Sequence, residues 1–155
     1  MRLWRISTHA DLSGEGGLLA AGRWHTRGSR IVYLTDHPAS ALVEVLVHLE
    51  VDPVDLPDSY QLLAVDFPDN VPIQSILEKE LAAGWRDHPG LTRDLGDLWL
   101  RENRTALLRV PSATVPFALN WLLNPAHRDT AKASIAEIIQ APFDRRLFGV
   151  DQATR

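Results

Sequence analysis

Three runs that read as strands, "TALLRVP", "NWLLN" and "SIAEIIQAPF", follow one another late in the chain with no helical stretch between them. A regular βαβ wind needs a crossover helix after each strand, so this order favours an α+β fold. The earlier half is more alternating. "MRLWRIS" reads as an opening strand, a glycine-rich loop follows, and "RIVYLT" has the β-branched and aromatic content of a second strand. Pro38 suits a first helical position, and Ala39 to Leu49 are apolar almost throughout, which predicts a helix. "YQLLAVDF" is a strand candidate, whereas "IQSILEKELAAGW" and "LTRDLGDLWLREN" carry helical patterns.

At 155 residues and 45% hydrophobic content, the expectation is one domain spanning 1–155 with a substantial core. Cysteine is absent, which excludes a disulfide framework and any thiolate metal site. The N-terminus lacks the apolar run of a signal peptide, and no stretch approaches the roughly 20 apolar residues of a membrane span. A cytoplasmic protein is expected, with no membrane contact. The net charge of −4 disfavours direct nucleic-acid binding. Of the 16 basic residues all but Lys79 and Lys132 are Arg, which fits either a local anion pocket or a compositional bias.

The apolar helix is informative through its exceptions. Ser40, Glu44 and His48 are spaced four apart and so share one stripe. That stripe is either the wet side of the helix or the wall of a site. A carboxylate in such surroundings is costly if buried alone, so Glu44 must meet water, a cation or a ligand. Just upstream, "GRWHTRG" places Arg23 beside Trp24, and Tyr33 follows ten residues later. Other chemistries have weak support. His37 and His48 are eleven apart with no HExxH, so no metal is expected. "SGEGGLLAAG" lacks the GxGxxG order of a Rossmann loop. A triad of Ser112, His127 and Asp129 has no nucleophile-elbow motif behind it.

In order and spacing, "LWRI", "GRW", "IVYLT", "ALVEVLVH", "VPSATVP", "NWLLNP" and "FDRRL" together resemble the RES family, which includes toxins of bacterial toxin–antitoxin pairs. The resemblance implies an ADP-ribosyltransferase-like fold, with central mixed or antiparallel sheets flanked by helices. It also implies cleavage of the nicotinamide–ribose bond of NAD+. Arg23, Tyr33, Glu44 and Ser112 fall on the family's functional positions, and Asn124 on a further recurrent one. Ser112, following Pro111, also suits a turn residue bonding its own backbone. NAD+ would be substrate rather than cofactor, with water or inorganic phosphate as acceptor. Transfer to a protein side chain, or a catalytically idle binding module, are the alternatives. The resemblance further implies an antitoxin partner with an Xre-like helix-turn-helix segment, forming a hetero-oligomer that supplies the DNA affinity.

Overall fold

A computed structural model describes residues 1–49 and 57–148. Its strands are β1 (Arg2–Ile6), β2 (Val32–Thr35), β3 (Ser59–Asp66), β4 (Ile73–Ser75), β5 (Leu107–Pro111), β6 (Leu119–Leu123) and β7 (Ser134–Pro142). They join one sheet in the order β4-β5-β6-β2-β1-β3-β7. Every pairing is antiparallel except β4 with β5. The helices are a single turn α1 (Gly16–Leu19), α2 (Pro38–His48) and α3 (Pro89–Glu102). The α+β expectation holds, with a mixed sheet at the centre.

The three late strands fall where their sequences place them, and so do β1, β2, β3, α2 and α3. "IQSILEKELAAGW" does not form the expected helix. Ile73–Ser75 instead lies parallel to Leu107–Arg109 at the sheet edge, followed by 3-10 turns at Glu78–Glu80 and Trp85–Asp87. Gly84 between them has φ 75°, a left-handed backbone that stops any helix there. Local helix preference is weak, and pairing with β5 outweighs it.

Strand alternation divides the core between the two sheet faces. Leu3, Val32, Leu34, Leu63, Val65, Leu107, Trp121 and Leu123 pack on one face beneath Phe67 and Val71. Leu108, Val110 and Leu122 face the other way and meet Trp24, Trp85 and Trp99, the last from α3. α2 packs on β1 and β2. Its start is fixed by His37, whose extended backbone ends the incoming strand and whose Nδ1 accepts from the Ala39 N–H. This helix is less buried than its composition predicts: Ala41 alone is fully covered, and Val47 is exposed.

Candidate active site

Glu44 is the residue of the helical stripe that bonds to the sheet; His48 is exposed near the end of α2. Glu44 Oε1 accepts from Ser112 Oγ at 3.0 Å and from Asn120 Nδ2 at 2.9 Å. Both donors come from the β5–β6 pair. Ser112 is the residue after Pro111, its N–H donates to the Ala118 carbonyl, and Asn120 pairs with Val110 across the strands. A half-buried carboxylate is thus supplied with two neutral donors on one oxygen. Among the described residues Oε2 accepts no hydrogen bond.

Ser112 has both roles that its sequence allows. Its buried Oγ donates to Glu44 and accepts the N–H groups of Thr114 and Val115, closing the turn that carries it. The same connection presents Phe117 fully exposed at φ 65°, a strained backbone for a bulky residue.

Asn120 has no sequence signal beyond its place in "NWLL" and was missed for that reason. It is 9% exposed, and its Oδ1 has no hydrogen-bond partner. A carboxylate only accepts, so the amide must turn Nδ2 toward Glu44 and leave Oδ1 stranded. An unsatisfied buried acceptor costs about 1–3 kcal/mol, which the bond from Nδ2 to Glu44 helps to offset. Asn124, the residue singled out in the sequence, lies at the opposite end of β6. Its Nδ2 donates to Asn103 Oδ1 at 2.9 Å, and its Oδ1 accepts from the Ala126 N–H. It ties the end of α3 to the turn after β6 and does not enter the cluster. The two residues are four apart on one strand, and only the sheet register tells which end holds the site.

Tyr33 shares the face of Asn120, because Tyr33 pairs with Leu122 and Thr35 with Asn120. Its phenol is fully committed. It accepts the Trp24 N–H at 3.0 Å and lies 2.9 Å from His25 Nδ1. His25 is buried, and its Nε2 is 3.1 Å from the Ala20 carbonyl, which can only accept. That partner assigns the proton to Nε2, so Nδ1 receives the Tyr33 hydroxyl and the Gly22 N–H. Burial pushes the phenol's pKa well above its usual value and holds the His25 imidazole below its own, so both stay neutral. Gly22 is forced by this packing, since a Cβ there would strike the Tyr33 hydroxyl.

Arg23 lies in the turn that this network holds. One of its terminal nitrogens donates to the Arg86 carbonyl at 2.8 Å, and its own carbonyl accepts from Thr92 Oγ1. Trp24 beside it is buried against Trp85 rather than lying under the Arg23 guanidinium, and it is Arg86 that stacks on Trp85. Arg23 is therefore held to α3 and to the turn before it, and among the described residues no hydrogen bond joins it or Tyr33 to Glu44. The remaining alternatives separate spatially. His127 and Asp129 follow Asn124 at the far end of β6 from Ser112, where the Asp129 N–H donates to His127 Nδ1. His37 is spent as the cap of α2.

Comparison with known proteins places the chain in a family. The family described as RES domain matches residues 2–145. A protein named Toxin Res from Pseudomonas putida is 46% identical over 148 residues, covering 96% of this chain and all of that one. A Prs ADP-ribosylating toxin from Sphingobium is 35% identical over 155 residues, covering 94% and 95% of the two chains. Among solved structures, the M. tuberculosis MbcT–MbcA toxin–antitoxin complex superposes with TM-score 0.69 at 17% identity, over 96% of this chain and 86% of that one. At that identity the likeness is one of fold alone.

Proposed function

The chain belongs to the RES domain family, and from that membership we propose that it is the toxin of a toxin–antitoxin pair, acting by cleaving the nicotinamide–ribose bond of NAD+. The observation that carries this is the Glu44 carboxylate clamped on Oε1 by Ser112 and Asn120, on the sheet face that also holds Tyr33. The bond from ribose C1′ to the nicotinamide nitrogen breaks, its electron pair neutralises the departing pyridinium, and positive charge develops on the sugar. Glu44 Oε2 stabilises that charge and gains strength as it grows. Water or inorganic phosphate then bonds to C1′ and gives up its proton.

Each neighbour has a part in this reading. Ser112 donates its hydroxyl proton to Glu44, which makes it a positioning residue and not a nucleophile. The Tyr33 hydroxyl is already bonded, so its ring face supports the nicotinamide. Arg23 directs the rest of its fork to the pyrophosphate. A second reading has a specific observation behind it: the Sphingobium relative is named for ADP-ribosylating Prs, so a protein side chain can be the acceptor after the same cleavage. Because the structural neighbour was solved with an antitoxin, we also assign this chain an antitoxin partner, of the Xre-like helix-turn-helix type, that covers the sheet face bearing Glu44 and Tyr33.

The test is incubation of purified protein with NAD+, with and without phosphate, identifying products by mass. Free nicotinamide with ADP-ribose indicates water as acceptor, and ADP-ribose 1″-phosphate indicates phosphate. Nicotinamide released only when a target protein is present and modified supports the second reading. Intact NAD+ in every arm rejects both.

A further inference from the structure

α3 carries a feature that the site does not use. Thr92, Gly96 and Trp99 are buried against the body, yet Leu91, Leu95 and Leu98 are 45%, 38% and 45% exposed. Their spacing of four and then three is the d-a-d seam of a heptad, and Glu102 occupies the next a position. Leucines in this register on a free helix face are unusual for a surface, where apolar residues are ordinarily scattered. The residues on the outer flank of the seam are Asp94 and Arg101, both g positions and both exposed.

We infer that this face pairs with the same face of a second copy of the chain, the two α3 helices running antiparallel about a two-fold axis. The charges select the occupant and the orientation. In an antiparallel pair the a and d positions alternate across the seam, so Leu95 of one copy packs on Leu98 of the other, twice. With that register the outer flanks face each other, and Asp94 meets Arg101 of the second copy, again twice. A parallel pair would place the flank charges opposite Thr92 and Trp99, which are buried at the e positions, and would stack Glu102 on Glu102. The antiparallel arrangement alone pairs the flank charges with opposite sign; its two central layers are leucine on leucine, and at each end Glu102 lies beside Leu91 of the second copy with its carboxylate toward solvent. The strip from Leu91 to Glu102 is about 16 Å long, so the α3 contact alone is small and the association reversible.

Sedimentation equilibrium of the full chain over a range of concentrations tests this. The expected result is a monomer–dimer equilibrium, weakened at least about tenfold by Leu95→Asp or Leu98→Asp. Asp94→Arg and Arg101→Asp should each weaken it by about threefold or more, and the double swap should restore it. Both leucines and both charged residues are exposed, so the fold is retained in all five variants. A chain that stays monomeric up to about millimolar concentration overturns the proposal. So does a double swap no better than its single variants. Leucine variants that lose antitoxin binding while self-association is unchanged would likewise overturn it, by assigning the face to the antitoxin.

Discussion

Two donors on one oxygen of Glu44 make its charge the feature to remove. Glu44→Gln keeps the volume and one acceptor, and should lower NAD+ turnover by at least about tenfold with an unchanged denaturation midpoint; turnover at the wild-type rate would end the role assigned to it. The two asparagines of β6 give a sharper contrast. Asn120→Leu removes a donor to Glu44 together with a stranded acceptor, so kcat should fall about tenfold with little change in stability. Asn124→Leu should do the opposite, costing about 1–3 kcal/mol of stability with kcat retained, because the bonds to Asn103 and Ala126 are lost. Parallel urea melts and initial rates separate the two. His25 adds a pH dependence. Its folded pKa is held below the unfolded 6.5 by burial, so between those values the unfolded chain binds the extra proton. Stability is therefore complete above about pH 6.5 and falls as pH drops toward the folded pKa. His25→Gln should flatten that segment of the curve of urea midpoint against pH.

At the scale of elements, α3 works as a clamp on the turn that bears Arg23. Thr92 Oγ1 bonds to the Arg23 carbonyl, Arg93 Nε to the Gly22 carbonyl, and Asp97 takes both the N–H and hydroxyl of Thr26. Gly96 lets the helix approach closely enough for these bonds, since a Cβ there would collide with the Trp24 backbone carbonyl. Gly96→Ala improves intrinsic helix preference by about 1 kcal/mol, yet here it should destabilise by about 1–3 kcal/mol and raise the Michaelis constant for NAD+ as the turn is displaced. A chemical melt that shows a stabilised variant would contradict the clamp. The strand β4 teaches the converse: a stretch with helical periodicity became an edge strand because a parallel partner stood available at β5.

Across the whole molecule, one sheet collects groups that are far apart in the chain. Glu44 and Asn120 are 76 residues apart, and Tyr33 shares their sheet face because β2 lies between β6 and β1. The proposed antitoxin belongs to the same scale: if the face bearing Glu44 cleaves NAD+, the producing cell must have it covered. Expression of the chain alone should arrest growth, and the neighbouring antitoxin gene should restore it. In the purified complex NAD+ cleavage should fall by at least about tenfold. A complex that cleaves at the full rate would refute occlusion of that face.

The order of elements apart from β4 and the 3-10 turns after it, the start of α2 and the stripe bearing Glu44 were legible in the sequence, because they depend on periodicity, on a Pro at the first helical position and on spacings of three or four residues. Family resemblance singled out Arg23, Tyr33, Glu44 and Ser112, of which Glu44 and Ser112 are bonded to each other. Asn120 and His25 were not, since a buried Asn in a strand and a His after Trp24 carry no local pattern; their meaning is a partner 76 residues away in one case and a Tyr across a turn in the other. The tertiary structure alone decided which asparagine of "LNWLLN" meets Glu44, because side-chain alternation puts both on one sheet face and only the register of β5 with β6 fixes which end of the strand lies beneath α2.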